Sequence, residues 1–246
     1  MEEYKSIFSR TTLLIGQEAQ NRIADTRVIL FGVGGVGSWC AESLVRSGIR
    51  YLTIVDADTV NITNINRQLP ATTRTIDKPK VEVLKQRLEE INPAAQINFI
   101  QMFYDAETAG LFQLDSYNYI IDAIDSLESK AHLIYTATQT DAVFLSSMGA
   151  ALKMNAARIQ VAEFWKVHGC PLAAALRRKL KQRAQYPGKK FQCVFSDELL
   201  ENKGTIDSLT LKMNDQVTKR VNGTLAHITA IFGFTLAGLV IQDICS

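Results

Sequence analysis

At 246 residues, with 47% hydrophobic and 21% charged, the chain has the composition of a soluble globular protein and suits one large α/β domain. Its 27 Lys and Arg against 25 Asp and Glu leave a formal charge of +2, which excludes binding nucleic acid by bulk charge and leaves any such role to a local patch. Four separated cysteines, Cys40, Cys170, Cys193 and Cys245, form no C-x-x-C pair, which argues against a structural zinc site and a disulfide framework.

The first ten residues are polar and charged, so no signal peptide is expected and a reducing cytoplasm is the simplest compartment. Residues 1–26 read as an N-terminal helical arm. Residues 27–32 (Arg-Val-Ile-Leu-Phe-Gly) form a short β-rich run ending in glycines, followed by a predicted helix over 36–47 and a strand over 51–56. After a loop, a helix runs from about 80 to 91 on the apolar stripe Val81, Val83, Leu84, Leu88 and Ile91, and Asn92-Pro93 ends it. Strands over 97–101, 117–122 and 142–146 alternate with helices over 107–112 and 127–138. Strands apolar on both faces, separated by helices, imply a Rossmann-like, doubly wound, mainly parallel sheet with helices on both faces. Residues 27–150 make this nucleotide-binding core, and 151–246 read as a C-terminal elaboration of the same globular unit.

Ligands of such sheets bind beyond the carboxyl ends of the strands. There Gly32-Val-Gly34-Gly35-Val-Gly37 ends the first strand and opens a helix, a turn that lets phosphates approach backbone N–H groups at the positive helix end. Asp56 ends the second strand, placed to accept from ribose hydroxyls. These features indicate an adenine nucleotide without separating NAD from ATP. The stretch from Asp56 through Asp58, Asn64, Arg67 and Gln68, followed by Lys80, separates them. Hydride transfer has no use for an arginine and a lysine near the phosphate turn, whereas nucleotidyl transfer does, because charge builds on the departing pyrophosphate. Asp125, in Asp122-Ala-Ile-Asp125, is placed to hold Mg²⁺ on phosphate oxygens, with helix capping as its plainer alternative.

The order G-x-G-G-x-G, D-x-D-x-V, N-x-N-R-Q, K, D-x-x-D resembles the ubiquitin-activating-enzyme-like ThiF/MoeB/HesA superfamily over about residues 26–149. The resemblance implies adenylation of a carboxylate by ATP, with Arg67 and Lys80 on the triphosphate, Asp56 on the ribose and Asp125 on the metal. It also implies a homodimer in which Arg10 enters the partner's site. The two C-x-x-C pairs usual in the sulfur-carrier-activating branch are missing. Instead Asp122-Ala-Ile-Asp125-Ser126, 171–177, Cys193-Val-Phe-Ser196 and 230–234 are similar to the tRNA threonylcarbamoyladenosine dehydratases. That branch implies tRNA as partner and leaves room for a sulfur-relay or helper protein. Residues 221–224 lack the cysteine that some relatives carry there, so no thioester step is expected. An activator of a ubiquitin-like sulfur carrier is the competing function.

Residues 176–190 carry Arg177, Arg178, Lys179, Lys181, Arg183, Lys189 and Lys190 with no acid. Leu172, Leu176 and Leu180 recur every four residues, leaving a basic face outward for RNA phosphates, with Arg177, Arg178, Lys181 and Arg183 the expected contacts. Residues 225–244 are nearly all apolar but interrupted by polar side chains. This favours a buried core helix over a peripheral membrane contact. Cys193, in an apolar strand-like run, reads as a buried cysteine rather than a nucleophile.

Overall fold

The computed structural model describes residues 7–204 and 222–246, so position 221 lies outside the described residues. Strands β1 (Arg27–Phe31), β2 (Tyr51–Val55), β3 (Gln96–Ile100), β4 (Tyr119–Asp122), β5 (Val143–Ser147), β6 (Ile159–Glu163) and β7 (Gln192–Ser196) form one sheet in the order β3-β2-β1-β4-β5-β7-β6. All neighbours pair in parallel except β6, which runs antiparallel to β7 at the edge. The order reverses at β1, which lies between β2 and β4, so the crevice opens beyond Phe31, Val55 and Asp122.

The described helices are α1 (Ser9–Asp25), α2 (Gly37–Ser47), α3 (Lys80–Ile91), α4 (Leu127–Ala137), α5 (Pro171–Gln182) and α6 (Ala226–Cys245). α1 is two helical pieces meeting at Gly16, whose φ of 83° no helix allows. Alternate residues of the central strands bury into two cores. Val28, Leu30, Leu52 and Ile54 meet Leu44 of α2, Leu84 of α3 and Phe232 of α6. On the other face Ile29, Phe31, Ile120 and Phe144 meet Leu133 of α4 and Leu176 of α5. The expected helix over 107–112 is instead a 3₁₀ turn, Ala109–Phe112. Asp105 accepts from the backbone N–H groups of Glu107 and Thr108, an arrangement that competes with helix, and Gln113 at φ 46° stops the turn.

Residues beyond 150 add β6 and β7 to the same sheet and lay α6 on α2. By length and mean hydropathy of 1.8 α6 is apolar enough to cross a membrane, yet Ile228, Phe232, Leu236 and Val240 are wholly buried in the first core. Gly233 lets the helices touch: a Cβ there would lie 2.4 Å from the Val36 carbonyl oxygen and 2.8 Å from the Cys40 nitrogen.

Candidate active site

Beyond the carboxyl ends of β1, β2, β4 and β5 lies a cavity of about 670 Å³, within the range of small-molecule sites. Its floor is the turn after β1. Gly32 has φ 86°, and a Cβ there would lie 2.7 Å from the Ala123 carbonyl oxygen. At Gly37 a Cβ would collide with the Gly32 carbonyl oxygen, so only glycine permits α2 to start where it does. Gly34 and Gly35 line the cavity and keep the backbone bare there.

Asp56, just past β2, accepts from the N–H of Val33 at 2.8 Å and of Asp58 at 2.9 Å. Its carboxylate therefore fixes the glycine turn while still lining the cavity. Burial pushes its pKa up, and the charge of Lys80 and the two amides oppose this. Lys80 opens α3 and is only 5% exposed, so its ammonium needs a counter-charge, and its Nζ donates to Asp58 Oδ2 at 2.7 Å. Asp58, read from sequence as a nucleotide contact, lines the cavity and pairs there with Lys80.

Arg67 follows the 3₁₀ turn Ile62–Asn64, which Asn64 helps to close by accepting from the N–H of Asn61. Its Nη1 donates to the Thr63 carbonyl and to Asn66 Oδ1, both at 2.9 Å, and its own carbonyl accepts from Trp39 Nε1 at 3.2 Å. Burial lowers the pKa of its guanidinium, and the carboxylate of Asp125 across the crevice offsets part of that. Gln68 also lines the cavity, and its buried Oε1 has no partner among the described residues.

The two aspartates after β4 have separate roles. Asp122 is wholly buried and takes Lys130 Nζ at 2.8 Å, Ser146 Oγ at 2.7 Å and the Ile124 N–H at 3.1 Å. Asp125 is exposed to the cavity, and Ser126 rather than Asp125 is the N-cap residue of α4. Among the described residues no group of three His, Cys, Asp or Glu could hold a metal unaided. Sequence reasoning missed Lys130, whose position on α4 carries no charge pattern. It also missed Met102, Phe103 and Tyr104 after β3, which bring an apolar wall to the cavity.

The remaining expected residues lie outside this cavity. Arg10 is exposed on α1 and does not line it. Of the basic stretch, Arg177 turns inward, donating to the Phe164 and Val167 carbonyls at 2.9 and 2.8 Å. Lys179 and Arg183 share the Glu128 carboxylate, and Lys189 donates to the carbonyls of Thr140 and Ala142. Lys181 lies 5.7 Å over the Trp165 ring, and Arg178 is exposed. The uniform outward face expected from helical spacing is thus a mixed one, because acceptors and a carboxylate from neighbouring elements reach it. Cys193 is wholly buried, and burial raises its thiol pKa well above the ordinary value, as befits a packing residue.

The ThiF family model matches residues 8–245, nearly the whole chain. The chain belongs to the ThiF family. This ThiF-family chain is 42% identical over 191 residues to the tRNA threonylcarbamoyladenosine dehydratase of Bacillus subtilis, covering 78% of its own length and 74% of that protein's. It is 34% identical over 246 residues to the Escherichia coli enzyme of the same name, covering 95% and 91%. Among solved structures, the ATP complex of Escherichia coli tRNA N6-threonylcarbamoyladenosine dehydratase, TcdA, superimposes with a TM-score of 0.87 at 31% identity, covering 99% of this chain and 96% of that one. The fold of the ThiF-family chain is therefore that of an ATP-binding relative over its full described length, C-terminal elaboration included.

Proposed function

We propose that this ThiF-family chain is an ATP-dependent dehydratase of threonylcarbamoyladenosine in tRNA. One observation carries the reading: a single cavity gathers the glycine turn, Asp56, Arg67, Lys80 and Asp125, in a fold shared end to end with an ATP-bound dehydratase of that name. In the first step an oxygen of the threonyl carboxylate bonds to the α-phosphorus, and pyrophosphate leaves with the electron pair of the broken bond. An intramolecular nucleophile of the modification then attacks the activated carbonyl, closing a ring and expelling AMP. The modification loses one water in all.

The protein's share is placement and charge. The bare backbone at Gly34 and Gly35 and the start of α2 receive phosphate oxygens, and Asp56 takes the ribose. Arg67 and Lys80 stabilise the charge that grows on the leaving pyrophosphate. Lys80, held by Asp58 at 2.7 Å, keeps further N–H donors for phosphate. Asp125 would hold a Mg²⁺ ion, because such sites need only one or two carboxylates from the protein and Asp122 is already committed to Lys130. When bound, the ion would neutralise phosphate charge.

Within the same reading, two copies associate so that Arg10 of one protomer completes the site of its partner. The face bearing Arg178, Lys181 and Arg183 meets tRNA phosphates, and the cytoplasm is the compartment. A sulfur-carrier activator is the less favoured function, since the zinc-binding cysteine pairs of that branch are missing from the sequence. Incubation with ATP, Mg²⁺ and modified tRNA, followed by nucleoside mass spectrometry, tests the proposal. Loss of one water from the modified nucleoside is expected, and an unchanged nucleoside beside brisk adenylation of a carrier-protein C-terminus would overturn it.

A further inference from the structure

The cavity is longer than its nucleotide half. Its lining also includes the loop that leaves β5, with Ser147, Met148, Gly149, Ala150 and Ala151, and Thr224 beside it. This loop is held from outside. The Met148 N–H donates to the Val194 carbonyl, the Leu152 N–H to the Gly223 carbonyl, and the Leu200 N–H to the Leu152 carbonyl. Thr224 Oγ1 donates to the Ala150 carbonyl. Leu152 is kept at φ 59°, a conformation a branched apolar residue adopts only when its surroundings impose it. Between these anchors, the N–H groups of Gly149, Ala150 and Ala151 have no acceptor among the described residues. All three residues are partly exposed on the cavity wall, where an unpaired N–H is free to donate to a ligand.

We propose that the loop from Met148 to Leu152 is the acyl-substrate subsite, in which the amides of Gly149, Ala150 and Ala151 donate to the carboxylate of the substrate. This rests on the dehydratase reading above. One carboxylate oxygen bonds to the α-phosphorus, and the amides hold the other, which becomes the carbonyl oxygen of the acyl-adenylate. Main-chain donors suit this task because they orient an anion without adding a cation that would compete with Arg67 and Lys80 for the triphosphate. The absence of a side chain at Gly149 leaves room for the substrate: a Cβ there meets only Leu172 Cβ, at 3.7 Å.

Hydrogen–deuterium exchange of the whole protein tests the assignment, read on peptides spanning 148–152. A non-hydrolysable ATP analogue alone should leave these amides exchanging. Adding tRNA that bears the threonylcarbamoyl group should slow them, and adding the same tRNA without that group should not. Protection by the analogue alone would make them part of the phosphate site and overturn the proposal. So would equal effects of the two tRNAs. The variant Gly149→Val gives a second readout, because its φ lies outside the left-handed region and the added Cβ makes ordinary contact. It should raise KM for modified tRNA by roughly tenfold or more while leaving ATP affinity unchanged, and a parental KM would count against the subsite. A parent enzyme that removes no water from the modified tRNA would overturn the dehydratase reading itself, an outcome distinct from turnover with unprotected amides.

Discussion

Lys130 Nζ lies 2.8 Å from Asp122 Oδ2, and both side chains are completely buried. The same ammonium donates to the Ile124 carbonyl at 3.0 Å, so the pair pins the turn that carries Asp125 to the cavity. Removing one member of a buried pair strands the other charge, at a cost of about 3–5 kcal/mol. Lys130→Met should therefore lower stability by that amount in urea unfolding, and adding Asp122→Asn should recover part of it. A single variant as stable as the parent would show that the pair contributes nothing to the fold.

Arg67→Ala and Lys80→Ala should each slow ATP–pyrophosphate exchange by roughly 10²-fold or more, since each removes a donor to developing phosphate charge. Asp58→Asn should do less, because Asp58 acts through Lys80 rather than on phosphate. Asp125→Ala should raise the Mg²⁺ concentration needed for half-maximal rate. Near-parental rates in the Arg67 and Lys80 variants would contradict adenylation in this cavity.

If Arg10 serves the partner's site, mixing Arg10→Ala chains with Lys80→Ala chains should restore activity. One site of each hybrid then has both residues intact. Native mass spectrometry would verify subunit exchange, and the mixture staying inactive after it would place Arg10 outside the reaction.

The engagement of Lys179 and Arg183 with Glu128 ranks the basic residues. Arg178→Gln and Lys181→Gln should weaken tRNA binding more than Lys179→Gln, whose charge is already matched. Each lost phosphate contact should flatten the log–log salt dependence by roughly 0.7–0.9. Filter binding across a salt series, with ATP affinity as the control, measures this. Equal effects at all three positions would dissolve the ranking.

Glu42 of α2 is nearly buried and pairs with Arg87 Nε at 2.5 Å and Arg46 Nε at 2.9 Å. Burial by itself would raise its pKa, but the hydrogen bonds and charges of Arg87 and Arg46 outweigh it, and the net shift is downward. A depressed folded pKa means that the contribution of Glu42 is fully present above the unfolded value, about 4.3. It fades as pH falls from there through the folded pKa. Urea midpoints from pH 6 down to 3 should therefore drop less steeply for Glu42→Gln than for the parent. Parallel curves would mean that other carboxylates dominate acid unfolding.

Much of this was legible in the sequence because the signals are local. The runs that became β1, β2 and β4 are contiguous and apolar, and Gly32 and Gly37 occupy positions where any Cβ would collide with backbone. Arg67, Lys80 and Asp125 could be proposed because a phosphate site calls for those charges beyond strand ends. Pairings across distance were not legible. Nothing in the spacing says that Asp58 is the partner of Lys80, or that Glu128 reaches Lys179 and Arg183 from another helix. The helix expected over 107–112 failed for a local reason, the turn imposed by Asp105, which apolar periodicity does not register.

The close packing of Gly233 on Val36 and Cys40 bears on the order in which this protein is made. The glycine turn and α2 emerge early from the ribosome, but the surface that braces them, including Thr229 against Gly35, emerges roughly two hundred residues later. During synthesis the nascent phosphate turn thus lacks its support, and the apolar side of α2 waits for α6. A phosphate turn braced in this way is complete only once α6 has been made.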